Sequence, residues 1–345
     1  RHLGALEAAR ASYDEGLMRD PEHPGARLGR SVLDLSLGHY QLGWRDYRYR
    51  WQCGELKFSA SRPAGDTPPW RGEPLQGRTV LALREQGLGD TLQFVRGAAA
   101  LKARGARVHV ACQPSLCDLV KTVPGVDAVF DETQTMPGGH HYVHLMDLPA
   151  LLDGDYPMTM DEPYVSVDTG VMAHWERLLG ATGPRRIGIA WQGNPNFQMD
   201  KFRSVPLAHF APLHRPDVEL LALQIGLGSE QIAQVNFPVL QPGALANGEP
   251  RSFMDTAALM KLCDLVITTD TSIAHLAGAL GVKTWVILGF MPDWRWQVTG
   301  ERTPWYPSVR LFRQRKRGDW IQVCDALCAA LDVKQSENLD VEKRT

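Results

Sequence analysis

The sequence predicts an α/β protein with two parallel-sheet domains that face a cleft, preceded by a short helical segment. Its length of 345 residues suits two domains of roughly 100–200 residues each, plus an appendage. From residue 78 onward, apolar strand-like runs alternate with amphipathic helical stretches, the pattern of parallel α/β domains. This alternation restarts near residue 176, which indicates a second domain of the same kind. Open parallel sheets bind ligands at the carboxyl ends of their strands, so we expect the cleft to hold the site.

Composition and charge exclude several classes of function. Hydrophobic residues make up 44% and charged residues 22% of the chain, as in globular proteins. Lys plus Arg number 37 and Asp plus Glu 39, so the net charge of -2 argues against a general nucleic-acid binder. No apolar run approaches the roughly 20 residues of a transmembrane helix, and no signal peptide opens the chain. We therefore expect a cytoplasmic protein without a transmembrane segment.

The cysteine and histidine patterns do not predict a metal site. None of the six cysteines forms a CxxC pair, and zinc-ligand spacing is lacking, so free buried cysteines are expected. His140, His141 and His144 do not match the HExxH pattern, and an exposed loop explains them better. The basic run from Arg310 to Arg317 is interpreted as a solvated edge.

Residues 1–52 carry a weak internal repeat. Ala9 and Tyr13 follow the spacing of the second helix of a tetratricopeptide repeat, and a shift of 34 residues places Gly43 and Tyr47 at the same positions. Small residues at such positions let two helices touch, and the aromatic residue fills the gap. The segment therefore corresponds to about one and a half repeats.

Such a short array cannot bury a core alone. We expect helices over 3–19, 24–37 and 40–52, which dock on the first α/β domain or on a second copy of the chain. Four aromatic side chains should be largely buried by this packing: Tyr13, Trp44, Tyr47 and Trp51.

The rest of the chain divides by composition. Residues 53–77 resemble a linker, with four prolines and three glycines between Ser59 and Gly77. We assign 78–175 to a first Rossmann-like domain and 176–334 to a second, and 335–345 to a polar tail. The strands are predicted within 79–85, 107–112, 128–131, 142–152, 185–193, 218–226, 264–270, 283–290 and 310–314.

The first chemical motif is a glycine loop between the first strand and its helix, with the sequence EQGLGDTLQ from Glu85 to Gln93. Gly87 and Gly89 permit a tight turn and close approach of a ligand to the backbone. The loop lacks the lysine of a P-loop, and Asp90 would repel a phosphate. Asp90 is therefore a candidate general base, although a carboxylate here also suits a simple helix cap.

The second motif follows the strand that ends at Asp270. Thr271 and Ser272 begin a helix, and its free amides and hydroxyls can bind an anion such as a diphosphate. His275 lies one turn into this helix and could face the same ligand. An ordinary helix cap with a core histidine is the alternative.

Two further stretches carry charged and aromatic residues after strands. In the stretch 191–207, Arg203 could pair with a phosphate, although a solvated loop charge is the more usual explanation of such a residue. Trp294 and Arg295 lie in the sequence PDWRW, where aromatic rings suit stacking on a sugar or base, or packing between domains.

Taken together, these motifs resemble a known family, the bacterial tetratricopeptide-repeat proteins with a glycosyltransferase domain. This family is related to the ADP-heptose:lipopolysaccharide heptosyltransferases of glycosyltransferase family 9. The matching strings occur in order and at proper separations: EQGLGDTLQFVR, WQGNPNFQMDKFRSVPL, DLVITTDTSIAHLAGALG, FMPDWRW and TPWYPSVRLFRQ. With the helical segment, the resemblance covers residues 8 to about 331.

The resemblance implies a GT-B fold, with the nucleotide sugar bound mainly by the C-terminal domain. It implies an inverting transfer that requires no metal and no cofactor, with Asp90 as the base. Arg203, three residues before Pro206, matches a basic residue that contacts the phosphates, and Asp270 and Thr271 match the helix start that holds the donor. Ser272 replaces a glycine of the family. Ile225 replaces a lysine that follows the glutamine in the tetratricopeptide-bearing relatives.

The expected function is sugar transfer from a nucleotide sugar to a protein or glycan acceptor. Donor binding is assigned to Asn194, Arg203, Ser204, Gln224, Asp270, Thr271, Ser272 and His275. Acceptor binding or a place in the cleft is assigned to Gly87, Gly89, Gln93, Trp294 and Arg295. The helical segment would contact a protein partner or a second copy of the chain.

Two alternatives remain open at the level of sequence. A catalytically degenerate transferase could hold a ligand while its helical segment recruits a partner, and Ile225 slightly favours this. An epimerase of the UDP-N-acetylglucosamine type shares the fold, but its acid and base residues are not found in the required pattern.

Overall fold

A computed structural model describes residues 2–53, 63, 65–134, 136–152, 156, 160, 162–180, 183–246 and 252–342, with side chains from residue 5 to residue 332 of these ranges. The chain divides into two compact units. Unit 1 contains residues 1–166 and 293–307, and unit 2 contains residues 167–292 and 308–345. Residues 54–62 and 64 of the predicted linker, and 343–345 of the predicted tail, lie outside the described residues.

Unit 1 begins with three helices, at nearly the predicted positions. These are α1 (His2–Arg19), α2 (Pro24–Ser36) and α3 (Tyr40–Tyr47), and α3 continues as a 3₁₀ turn over Arg48–Gln52. Glycines permit close helix contacts, since a Cβ atom on Gly29 would lie 2.5 Å from the ring of Tyr13, and one on Gly43 would lie 2.6 Å from Leu35.

Two of the four aromatic residues of this segment are buried, as predicted. Trp44 and Tyr47 are 5% and 6% exposed, and Tyr13 is partly buried. The prediction for Trp51 is wrong, because its side chain is 39% exposed. Its ring stacks against His144 at 4.5 Å and its indole N–H donates to Asp147, so the ring lies on the surface of the unit.

The sheet of unit 1 has four parallel strands. They are β1 (Thr79–Leu83), β2 (Arg107–Cys112), β3 (Ala128–Asp131) and β4 (His141–His144), in the spatial order β3-β2-β1-β4. Short helices connect or follow them: α4 (Leu88–Phe94), α5 (Ala98–Ala103), α6 (Cys117–Val120) and α7 (Leu148–Leu152). A 3₁₀ turn at Val95–Gly97 separates α4 from α5.

The segment 293–307 belongs to unit 1, although it follows the fourth strand of the second sheet in sequence. Trp294 and Trp305 are buried, and both lie edge-on to Trp44 of α3, with ring centroids 5.2 and 6.4 Å away. Phe94 of α4 lies 5.7 Å from the same Trp44 ring. The N-terminal helices therefore pack directly on the α/β part of unit 1.

The sheet of unit 2 has five parallel strands. They are β5 (Arg185–Ala190), β6 (Val218–Ala222), β7 (Leu265–Thr269), β8 (Thr284–Leu288) and β9 (Val309–Arg313), in the order β6-β5-β7-β8-β9. The helices are α8 (Thr169–Leu179), α9 (Pro242–Ala246), α10 (Phe253–Lys261), α11 (Ser272–Ala279) and α12 (Trp320–Glu342). The two parallel sheets confirm the predicted α/β class.

Some helical stretches of unit 2 are not α-helices. Leu207–Leu213 and Ser229–Gln234 are 3₁₀ helices, and the first of these contains Pro212, which cannot donate the backbone hydrogen bond of an α-helix. Helix α12 ends at Glu342, so it includes most of the predicted tail. None of the helices that the structure describes combines the length and apolar character needed to span a bilayer.

Candidate functional site

The glycine loop connects the carboxyl end of β1 to α4, where the sequence predicted it. Gly87 is the N-cap of α4 and has φ -77°, which any residue can adopt, so the turn does not depend on the conformational freedom of glycine. Asp90 lies in the first turn, and its Oδ2 accepts a hydrogen bond from the Gly87 N–H at 2.7 Å. The carboxylate therefore caps its own helix, and its Oδ1 is left for another partner.

Arg295 is that partner. Its Nη2 donates to Oδ1 of Asp90, its Nε donates to Oε1 of Gln93 at 2.9 Å, and its Nη1 donates to Oδ1 of Asp293 at 2.8 Å. The guanidinium lies 4.1 Å from the centroid of the Trp294 ring, a cation–π contact. The PDWRW sequence thus places a fixed cation, Arg295, against the Asp90 carboxylate, and a second carboxylate, Asp293, on the same cation.

Opposing effects act on the ionisation of Asp90. Burial disfavours the charged carboxylate and raises its pKa above the ordinary value of 3.8, whereas Arg295 and the Gly87 N–H favour the charged form. The net direction is upward. A raised pKa makes a carboxylate a stronger proton acceptor, which is the property that a general base requires.

Glu85, at the other end of the loop, is in a different environment. Its side chain is 0% exposed, and it forms a bidentate ion pair with Arg50, at 2.7 Å to Nε and 2.5 Å to Nη2. Arg50 also donates to Asp147 at 2.7 Å. Asp90 is 17% exposed, so of these two loop carboxylates it is the one that a substrate can reach.

The remaining sequence-predicted residues of unit 1 lie near the Asp90–Arg295 ion pair. Gly89 lies in the first turn of α4, and Gln93 one turn later. Gln93 is fully buried, and its Nε2 has no hydrogen-bond partner among the described residues. Trp294 is 6% exposed. Gln93 and Trp294 hold Arg295 in place, and neither offers a large free surface.

In unit 2, the predicted anion site lies where β7 ends and α11 begins. Thr271 is the N-cap of α11, and its hydroxyl lies 3.5 Å from that of Thr268, without a capping bond to the helix. The Thr269 hydroxyl is buried and has no partner among the described residues. The helix start therefore presents amide groups and hydroxyls at the carboxyl edge of the sheet.

Arg203 lies directly beside this helix start. Its Nη1 donates to the carbonyl of Asp270 at 2.8 Å, and its Nε donates to Oδ1 of Asp200 at 2.9 Å. Its side chain is 25% exposed and stacks 4.9 Å from the centroid of the Phe197 ring. The structure thus brings together two motifs that are 67 residues apart.

A buried carboxylate orders this loop. Asp200 is 4% exposed, and its Oδ2 accepts from the Ser204 hydroxyl at 2.6 Å, while Ser204 Oγ accepts from the Gly193 N–H at 3.0 Å. A Cβ atom on Gly193 would lie 2.1 Å from Asp200, so only glycine fits. Ser204 is therefore engaged in holding the loop that carries Arg203.

Gln224 and Asn194 are engaged in the same way. Oε1 of Gln224 accepts from the N–H groups of Trp191 and Gln192 at 3.1 and 3.0 Å, and its Nε2 donates to Leu227. Oδ1 of Asn194 accepts from the Asn196 N–H at 3.0 Å. In this arrangement both side chains shape the loops that follow β5 and β6.

His275 lies in α11 and is 5% exposed, as a core-facing histidine would be. Ser272 is partly buried at the first position of that helix. Among the residues that the structure describes, no group of three or more His, Cys, Asp or Glu side chains could hold a metal ion.

Sequence reasoning did not assign a role to Arg50, Asp147, Asp200 or Asp293. Asp200 and Asp293 lie three and two residues from arginines already singled out, so a search for carboxylates near candidate cations would have found them. Arg50 pairs with a residue 35 positions away, and no local signal indicates that pairing.

The chain is similar to known proteins in sequence and in fold. No protein-family model matches the chain. Protein FlbA of Caulobacter vibrioides is 28% identical over 365 residues, which cover 95% of this chain and 59% of FlbA. The chain therefore spans less than two thirds of the length of this relative.

Two solved structures share the fold. The glycosyl transferase family 9 protein from Veillonella parvula has a TM-score of 0.52 and 11% identity, covering 71% of this chain and 88% of its own. E. coli ADP-heptose lps heptosyltransferase II has a TM-score of 0.51 and 14% identity, covering 75% of this chain and 99% of its own. The chain thus has the two-sheet fold of these glycosyltransferases.

Proposed function

We propose that the protein is an inverting, metal-independent glycosyltransferase that moves a sugar from a nucleotide sugar to a protein or glycan acceptor. The observation that carries this proposal is the position of Arg203 beside the start of α11, where it is held 2.8 Å from the Asp270 carbonyl. A cation beside a helix N-terminus suits a diphosphate, because both stabilise negative charge.

The donor half of the proposal rests on unit 2. A guanidinium has five N–H donors, and the described contacts of Arg203 use two of them, Nε and Nη1. The rest can face phosphate oxygens together with the amides at the start of α11, after Thr271. These groups would stabilise the leaving nucleoside diphosphate without a metal ion.

The base half of the proposal rests on unit 1. Asp90 combines partial exposure, a raised pKa and a fixed orientation from Gly87 and Arg295. In the reaction, the acceptor oxygen attacks the anomeric carbon as its proton passes to Asp90. The bond from that carbon to the diphosphate breaks, and its electron pair leaves with the nucleoside diphosphate. A single displacement of this kind inverts the configuration at the anomeric carbon.

Replacing Arg203 with glutamine should weaken binding of nucleoside diphosphates by about 10- to 100-fold. A charge-assisted hydrogen bond contributes about 1.5–3 kcal/mol, and tenfold in affinity corresponds to about 1.4 kcal/mol. Calorimetric titration with ADP, UDP, GDP and CMP, and then with the corresponding nucleotide sugars, measures the effect.

Arg215→Gln is the matched control, because Arg215 is 21% exposed and ion-paired with Asp332 in the same unit. It should leave the affinity unchanged. Equal affinity of the wild type and the Arg203→Gln variant would contradict the proposed donor site.

A second candidate is a protein that binds a nucleotide sugar without transferring the sugar. The observation that favours it is Ile225, which is 39% exposed where related tetratricopeptide proteins are expected to have a lysine. Incubation with the nucleotide sugar that binds most tightly, together with a panel of protein and glycan acceptors, separates the two candidates. Acceptor-dependent release of the nucleoside diphosphate that is strongly slowed in Asp90→Asn supports the enzyme, whereas tight binding without release for any acceptor supports the binding protein.

The proposal also includes a role for the N-terminal helical segment. Recruitment of a partner protein, or self-association, would use the surfaces of α1 and α2. Arg50, at the end of the segment, is not available for this, because its side chain is 1% exposed and paired with Glu85. We therefore propose that the end of the segment supports the glycine loop, whatever its first helices contact.

A further inference from the structure

Each end of the glycine loop carries a carboxylate that shares an arginine with a second carboxylate. Glu85 shares Arg50 with Asp147, and Asp90 shares Arg295 with Asp293. The Glu85–Arg50 pair is sealed, with side-chain exposures of 0% and 1%, whereas Asp147 is 22% exposed. The Asp90 triad is open, because Asp90 and Asp293 are 17% and 38% exposed. The two triads therefore differ in their loop carboxylates, because Glu85 is closed off from solvent and Asp90 is accessible.

From this arrangement, and resting on the proposed function, we propose that Arg295 and Asp293 are positioning residues for the base. Arg295 orients and holds the Asp90 carboxylate. Asp293 remains as the counter-ion of Arg295 when Asp90 takes up the acceptor proton. Neither residue needs to touch the substrate for this role.

The geometry restrains Arg295 on several sides. Besides its three side-chain acceptors, it stacks on Trp294, and its backbone carbonyl accepts from the Trp305 indole N–H at 2.9 Å. Its own backbone N–H donates to Oδ1 of Asp293 at 3.0 Å. A guanidinium restrained in this way keeps Oδ1 of Asp90 in one orientation. When Asp90 becomes neutral, Arg295 cannot move away to pair with another group.

The charges explain why the second carboxylate matters. Before proton transfer, Asp90, Arg295 and Asp293 sum to a net charge of -1, and after it they sum to zero. Without Asp293, a protonated Asp90 would leave a largely buried guanidinium without a counter-ion, which is costly. Asp293 therefore makes the protonated state of Asp90 accessible and so strengthens the base.

The charged groups near Asp90 shift its pKa in opposite directions. Glu85, on the same loop, and Asp293 both raise the pKa of Asp90, while Arg295 lowers it. From the helical segment, Arg50 is paired with Glu85, and the Tyr47 phenol, whose pKa is raised to about 12 by burial, is neutral near pH 7. Removal of Asp293 should therefore lower the pKa of Asp90, and removal of Arg295 should raise it.

The test is a direct titration of Asp90 by NMR in the full chain labelled with ¹³C at the aspartate carboxyl carbons. The Asp90 signal is identified by its loss in Asp90→Asn. We expect Arg295→Gln to raise its pKa by about 1–3 units, the size of the effect of a neighbouring opposite charge, and Asp293→Asn to lower it. Asp293→Glu keeps the charge and should restore the wild-type value.

Asp147→Asn is the matched control, because Asp147 occupies the equivalent place in the Glu85 triad. It should leave the titration of Asp90 unmoved. An unchanged pKa of Asp90 in both Asp293→Asn and Arg295→Gln would overturn this inference. This outcome is separate from the proposed function, which fails instead if Asp90→Asn releases nucleoside diphosphate at the wild-type rate.

Discussion

Replacement of Asp90 with asparagine is expected to lower turnover by about 10²–10⁴-fold, the usual cost of losing a general base. Asparagine keeps the size of the side chain and an oxygen that can accept from the Gly87 N–H, so the loss of capping should cost less than about 1 kcal/mol. Arg295 retains Asp293 and Gln93 as partners. Melting temperature, donor affinity and turnover of this variant are the measurements.

Asp168→Asn provides a matched control for the same substitution. Asp168 is the N-cap of α8, and its Oδ1 accepts from the N–H groups of Gly170 and Val171 at 2.8 and 3.0 Å. This variant should show a similar small change in melting and full turnover. If Asp90→Asn also turned over at the wild-type rate, Asp90 would be a helix cap and no more.

Replacement of Arg50 with methionine is expected to lower the free energy of unfolding by about 3–5 kcal/mol. Methionine removes the charge and leaves the Glu85 carboxylate buried at 0% exposure without its cation, the situation in which a broken buried ion pair is most costly. Urea denaturation, monitored by tryptophan fluorescence, measures the loss.

Two further variants identify the cause of this loss of stability in Arg50→Met. Arg50→Met combined with Glu85→Leu removes both charges and should recover much of the loss. Arg19→Met removes an ion pair whose side chains are 80% and 61% exposed, and should change the free energy of unfolding by less than about 1 kcal/mol. Equal losses in Arg50→Met and Arg19→Met would show that the Arg50–Glu85 pair does not hold the helical segment on unit 1.

Local patterns predicted the regular elements well. Strands such as Leu265–Thr269 are short apolar runs, and the start of α11 follows from Thr271 and Ser272 after such a run. Arg203 and Asp200 are three residues apart, so their pairing is also a local property. Apolar periodicity and cap residues act over a few positions and can be recognised without a fold.

Pairings between distant segments could not be predicted. Arg295 and Asp90 are 205 positions apart, and the assignment of 293–307 to unit 1 depends on packing around Trp44. Trp51 shows the same limit, because its partly exposed position against His144 depends on where β4 lies. Local sequence motifs therefore supplied the candidate site residues, whereas the contacts between Arg295 and Asp90 and between Arg50 and Glu85 required the structure.

The central claim is that a nucleoside diphosphate binds unit 2 at the start of α11. The most direct measurement is a crystal structure with the nucleoside diphosphate that binds most tightly in calorimetry. We predict that its phosphate oxygens lie within hydrogen-bonding distance of the Thr271 or Ser272 amides and of the Arg203 guanidinium. Nucleotide bound at the glycine loop of unit 1, with the start of α11 empty, would contradict this claim.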